Sequence, residues 1–209
     1  MGLRINSNLD WKNHINYLCN TLKQRTALLK RIQLRVPNDK LLMIAEAIFN
    51  AKLRYGIAVY FKPRLKEEDE KCTIQEPLQV LQNDMLRVLF GHKRADKINM
   101  EELRKRQDML SVNQLACYHT LIETFNILHK NASPQIEEKI RPRDNTRYNM
   151  RSNGKGELYI IDKPLKSCTG FTYMAGKLCN LLPEEFRKIT DPDPFKLKIK
   201  SWIGENIPS

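Results

Sequence analysis

Apolar side chains recur every three or four positions along most of this chain, with polar or charged residues between them, so the dominant predicted element is the amphipathic helix. The clearest case covers residues 38–60. Leu41, Leu42, Ile44, Ala45, Ile48, Phe49 and Leu53 make one broad apolar face, and Asn38 or Asp39 stands where an N-cap belongs. Gly56, followed by a β-branched run, marks a point where this helix loosens to pass close to a neighbour. The stretch is expected to be the hub of the core.

Upstream, Leu3, Arg4 and Ile5 read as a short extended piece without a hairpin partner, and Asp10 is placed to cap a helix running to about residue 33. Trp11, Ile15, Leu18, Leu22 and Leu29 form its buried face, and Pro37 ends it. Downstream, residues 75–90 predict a third helix, with Pro77 in its first turn and Gly91 as its stop. Asn99 with Glu102, and Ser111 with Gln114, each have the spacing of a capping box, ahead of helices to about 110 and about 130. Residues 132–140 add one or two turns. Residues 141–157 carry almost no aliphatic side chain and are rich in Arg, Asn and Gly, the composition of a flexible basic linker. Beyond it, 158–161 reads as a strand with 169–173 as its hairpin partner, followed by short helices over 175–182 and 195–203. The expected fold is therefore mainly α, an irregular helical bundle with a short N-terminal strand. It divides into a helical domain at 1–140, the linker at 141–157, and a small α+β appendage at 158–209 that contains one hairpin.

Charge sharpens this picture. The 36 Lys+Arg against 24 Asp+Glu give a formal net charge of +12 over 209 residues, which favours phosphate-bearing or acidic partners. Its distribution is uneven: residues 11–35 hold Lys12, Lys23, Arg25, Lys30, Arg31 and Arg35 and no acid, whereas 62–71 is balanced. No apolar run reaches the roughly 18 residues that would cross a bilayer, and no secretory signal opens the chain. Cys19, Cys72, Cys117, Cys168 and Cys179 are an odd, widely spaced set that suits free thiols in a reducing compartment. An intracellular location, nuclear or cytoplasmic, is expected.

Catalytic patterns are missing. His14, His92, His119 and His129 are spread over separate elements, so no nucleophile–base pair can be drawn. Cys117 and His119 are two positions apart on a helix and do not share a face, and no other Cys/His grouping has zinc-ligand spacing. Gly154-Lys155-Gly156 is too short for a phosphate loop, and residues 67–70 are acidic without converging. Neither a metal nor a cofactor is expected, and the chain does not read as an autonomous enzyme.

Several segments taken in order resemble one family. Gly2, Leu9, Trp11, His14 and Ile15 match the segment just after the polymerase palm in jockey-like non-LTR retrotransposon reverse transcriptases. Leu53-Arg54-Tyr55-Gly56 is similar to the end of the following helix there, as is the run from Leu81 to Arg87 with Gly91 behind it. The tail continues the likeness through Arg147-Tyr148-Asn149-Met150-Arg151, then Phe171, Tyr173, Gly176 and Leu178, then Asn180-Leu181-Leu182-Pro183, and finally Phe195-Lys196-Leu197-Lys198. The resemblance implies the thumb and C-terminal region of such an RNA-directed DNA polymerase, a part that helps to hold template and primer. The palm's paired aspartates and an endonuclease's acidic ligands are absent, which implies a non-catalytic fragment or remnant. Met1 and Cys179 depart from the pattern, where the family usually has an aromatic or aliphatic residue and a tryptophan.

Two functional expectations follow. The first is binding of RNA or an RNA/DNA hybrid, with Lys23, Arg25, Lys30, Arg31 and Arg35 on phosphates and Arg143, Arg147, Tyr148 and Arg151 as a second contact, the tyrosine stacking on a base. Arg54, Arg87, Arg94, Arg104 and Arg106 would extend that face. The alternative is a helical protein-interaction or dimerisation module with no nucleic-acid role, anchored by Ile199, Trp202 and Ile203. No membrane partner is expected in either case.

Overall fold

The 3.6-residue spacing of Ile15, Leu18, Leu22 and Leu29 folds as α1 (Lys12–Ile32), with those four side chains and His14 and Cys19 buried. The computed structural model describes residues 2–7, 10–69, 72–129, 140 and 170–209. Asp10 serves α1 from one position outside its cap: Trp11 is the N-cap, and Asp10 Oδ1 accepts from the Lys12 backbone N–H at 3.0 Å. The apolar stretch after Pro37 becomes α2 (Asn38–Ala45), a π turn (Glu46–Asn50) and α3 (Ala51–Arg54), which continue one another in right-handed helical backbone. Pro37 takes the N-cap position, and neither Asn38 nor Asp39 provides a side-chain cap.

At Gly56 the backbone turns left-handed, with φ 70°, and α4 (Ile57–Tyr60) starts on a new axis. A Cβ built at Gly56 would lie 2.9 Å from Leu3 Cδ2, so the close approach foreseen from the glycine is made to the N-terminal segment. α5 (Glu76–Leu89) follows, with Pro77 in its first turn and Gly91 left-handed just past its end. α6 (Met100–Arg106) is shorter than its pattern suggested, because Asp108 takes φ 50° and turns the chain toward α7 (Val112–His129). Of the two capping boxes, only the second is reciprocal: Ser111 N–H donates to Gln114 Oε1 at 3.0 Å, and Gln114 N–H donates to Ser111 Oγ at 3.2 Å. Asn99 Oδ1 accepts from the Glu101 and Glu102 N–H groups.

The strands expected from the sequence are corrected here, since no β-strand occurs among the described residues. Leu3, Arg4 and Ile5 are extended but pair with no ladder. Side chains hold them instead: Leu3 against Gly56, the Arg4 guanidinium 3.6 Å from the Tyr17 ring centroid, and the Arg4 N–H on His14 Nδ1 at 3.3 Å. Phe171, Thr172 and Tyr173, expected to be half of a hairpin, form the first turn of α8 (Phe171–Leu181). Their run continues through Met174, Ala175, Leu178 and Cys179, and burying that stripe outweighs the local strand preference of three residues. Residues 158–161 and the linker at 141–157 lie outside the described residues. α9 (Glu184–Arg187) and α10 (Pro192–Asn206) complete the chain, the latter capped by Asp191, whose side chain accepts from the Asp193 N–H.

Two apolar cores result among the described residues. The first joins α1, the α2–π–α3 rod, α4 and α5, with Val112 and Ala116 of α7. The second joins Cys117, Leu121 and Phe125 of α7 to Leu178, Cys179 and Leu182, and to Phe195, Ile199, Ile203 and Ile207. The rod contributes Leu41, Ala45, Phe49 and Leu53 to the first core, and α7 is the element common to both.

A buried polar seam runs beside α7. Gln82 donates to the Leu110 carbonyl at 3.0 Å, and Gln79 Oε1 accepts from the Val112 N–H at 2.9 Å. Asn113 holds both backbone groups of Arg64, at 2.7 and 2.9 Å, and the Pro208 carbonyl at 2.8 Å, while Gln114 Nε2 donates to the Ile207 carbonyl at 2.9 Å. These amides satisfy backbone groups that the connections would otherwise leave bare.

Candidate functional site

α1 buries one side against the rod and α5, so its remaining surface is fixed by the residues between the apolar positions. That surface carries Lys12, Asn13, Asn16, Asn20, Lys23, Gln24, Ala27, Leu28, Lys30 and Arg31, all exposed, and exposed Arg35 follows in the turn beyond. At 1.5 Å per residue the face is about 30 Å long. Among the described residues no acidic group pairs with Lys12, Lys23, Lys30, Arg31 or Arg35. Several cations elsewhere are engaged: Arg54 by Glu46, Arg94 and Arg87 by Asp84, Lys105 by Glu101 at 2.9 Å, Arg106 by Glu102 at 2.6 Å, and Lys200 by Asp108. The outer face of α1 and its exit thus carry five cations, and α1 carries no acidic residue.

The structure separates the residues singled out in the sequence. Lys23, Lys30, Arg31 and Arg35 share the solvent side of α1 and its exit. Arg25 is half-buried and faces inward, where its guanidinium donates to the Ile48 carbonyl inside the π turn. Arg143, Arg147, Tyr148 and Arg151 lie outside the described residues. Arg54, Arg87, Arg94 and Arg106 are ion-paired, and Arg104 is buried with its guanidinium on Asn83 Oδ1 at 2.8 Å, so these five do not prolong the unpaired face. Ile199 and Ile203 are fully buried in the second core, and Trp202 packs half-buried against it.

The other titratable groups are structural in setting. His14 is buried beside the Tyr60 ring at 4.8 Å. Burial, followed by the charges of Lys52 and Arg4, lowers its pKa and keeps it neutral. The Cys19, Cys117 and Cys179 thiols are buried, and burial pushes Cys179 up to about 12. No group of three or more His, Cys, Asp or Glu among the described residues could hold a metal ion. No helix among them is long and apolar enough to cross a membrane.

Comparison with family models, curated proteins and solved structures yields no match. The likeness to reverse transcriptases therefore rests on the motifs that carry it, and the surface itself has to supply the functional argument.

Sequence reasoning missed two features, one on the outer face of α1 and one away from it. Leu28 and Leu34 stand exposed among the cations at the end of α1, Leu34 at 94%. The signal for Leu28 is its position on the wheel, away from Leu22 and Leu29, which marks it as outward-facing. The second is a cleft at the π turn, where Asn50 and His119 come together from elements far apart in the chain. No local signal in the sequence brings those two side chains to one place.

Proposed function

We propose that this chain is a helical interaction module that works through its surface rather than by bond chemistry. The observation that carries this is the outer face of α1. Its four cations and Arg35 just beyond it have no acidic partner among the described residues, and Leu28 and Leu34 interrupt them as exposed apolar side chains. A basic surface with apolar anchors suits an acidic amphipathic segment of a protein, which offers carboxylates to Lys30, Arg31 and Arg35 and an apolar stripe to the two leucines. The anchor first expected at Ile199, Trp202 and Ile203 is replaced in this reading by Leu28 and Leu34.

A second reading is binding of RNA or an RNA/DNA hybrid, as the reverse-transcriptase likeness implies. The absence of any acidic residue on α1 favours it, because such a face attracts a phosphate backbone along its whole length. Lys23 belongs to this reading more than to the first, since it stands more than a turn from Leu28 and about three turns from Leu34.

The same titration separates the two. The chain is mixed with a labelled primer–template hybrid, with heparin as a polyanion control, and with an acidic amphipathic peptide, each across a range of salt. For the interaction module, Leu28→Ser with Leu34→Ser weakens peptide binding at least tenfold and leaves hybrid binding unchanged. For nucleic-acid binding, replacing Lys23, Lys30, Arg31 and Arg35 by glutamine lowers hybrid affinity and flattens its salt dependence by about 0.9 in slope per lost phosphate contact. Failure of all three probes to bind a folded chain would overturn both readings.

A further inference from the structure

The π turn, the loop at 107–110, α7 and α10 meet around a cleft of about 250 Å³. Asn50, at the end of the π turn, is 8% exposed; its Nδ2 donates to Glu46 Oε2 at 2.6 Å, and its Oδ1 is buried without a partner. His119, one position beyond Tyr118 on α7, also lines the cleft, with Nε2 buried and unpartnered. Burial, with the Arg54 charge as a smaller cause, lowers the His119 pKa to about 4, so the imidazole is neutral near pH 7. Native interiors seldom leave such groups unmet, and two in one cleft mark a place where a ligand recovers the hydrogen bonds that folding withdrew.

The charged residues of the lining limit what that ligand is. Glu46 is paired with Arg54, and Asp108 with Lys200, so the cleft carries two acids and two bases that neutralise one another. A charged ligand would have to break one of these pairs, whereas an uncharged one leaves both intact. Leu110 and Leu115 add an apolar wall. The uncommon backbone concentrates here as well: Ala51 N–H reaches back five residues to Glu46, and Asp108 is the one non-glycine residue with positive φ among those described.

We propose that this cleft binds a small uncharged molecule that presents an N–H donor beside a hydrogen-bond acceptor on one planar edge, as a primary carboxamide or a nucleobase does. The N–H donates to Asn50 Oδ1. The acceptor, or a second donor, engages His119 Nε2 according to the tautomer the imidazole adopts. The ligand's flat face lies on the apolar wall.

The test is an NMR titration of the full chain, following the imidazole signals of all four histidines and the Asn50 side-chain amide. Propionamide, adenosine and cytidine are the probes, which separates carboxamide from nucleobase, and glycine and inorganic phosphate are the charged controls. At least one neutral probe should shift the His119 and Asn50 signals saturably, with Kd of about 1 mM or below, and leave His14 and His92 unmoved. Asn50→Leu and His119→Phe should each weaken that binding at least tenfold, and Leu197→Ala on the exposed side of α10 should not change it. The wild-type titration decides the matter even if a cleft variant fails to fold. No saturable shift with any neutral probe, as when solvent water alone fills the cleft, would overturn the proposal, as would equal binding of glycine or phosphate.

Discussion

Arg25 sits on a helix whose other cations face water, yet it is committed to the Ile48 carbonyl across the interface with the rod. A charged donor on a backbone acceptor is worth about 1.5–3 kcal/mol, more than a neutral hydrogen bond, because the donor carries a full charge. Arg25→Met should therefore lower stability in urea by about 2 kcal/mol while polyanion binding changes little, the reverse of what Lys23→Gln should do. Gly56 makes a second residue-scale case. Gly56→Ala combines a left-handed φ with the approach to Leu3, and should cost about 1–3 kcal/mol. Adding Leu3→Ala should recover only the steric share, which a double-mutant cycle on urea midpoints would measure. His119 supplies a pH dependence of definite sign. Its folded pKa lies below the ordinary 6.5, so the unfolded chain binds the extra proton first. Stability is fully present above about pH 6.5, falls as pH drops toward 4, and levels off below that. His14 acts in the same direction, and His119→Gln should remove the larger part of the slope.

At the scale of elements, the Ser111–Gln114 box is the feature with the most direct energetic reading. Ser111→Ala should cost about 1 kcal/mol in thermal or urea unfolding, and Gln114→Ala more, since Gln114 also holds the Ile207 carbonyl. That box was legible from four consecutive residues, as were the boundaries of α1 and α5, because capping and amphipathic periodicity are written locally. The π turn was not legible. Glu46 and Ile48 read as ordinary helix positions, and the contact the turn makes with Arg25 comes from an earlier helix. α8 was misread at its start for a related reason: Phe171, Thr172 and Tyr173 have strand-like preferences in isolation, and only their stripe with Leu178 and Leu182 in the second core settles the helix. The basic face of α1 could be read from composition, but which of its arginines stays free could not. The cleft was out of reach for sequence reasoning altogether, since Asn50 and His119 are polar residues on helices that look complete without them.

For the whole molecule, the arrangement of two cores about one helix decides how damage spreads. Phe125 of α7 stacks on Phe195 of α10 with centroids 4.4 Å apart. Phe125→Ala should cost about 3–5 kcal/mol and loosen α8 and α10 first, leaving the packing of α1 on α5 protected from hydrogen exchange. A uniform loss of protection would show that the two cores unfold as one. The charge asymmetry acts at this scale too, since the unpaired cations of α1 lie on an element of the first core only.

The polar seam has a bearing on the order of events during synthesis. The carbonyls of Ile207 and Pro208 return to Gln114 and Asn113, 93 and 95 positions earlier in the chain. α1, the rod and α5 have all their partners but the first half of α7, so they can assemble once that half has been made, while the ribosome is still translating. Gln114 Nε2 and one Asn113 N–H cannot be satisfied so early: they stay open to water, and to chaperones, until those late residues have emerged.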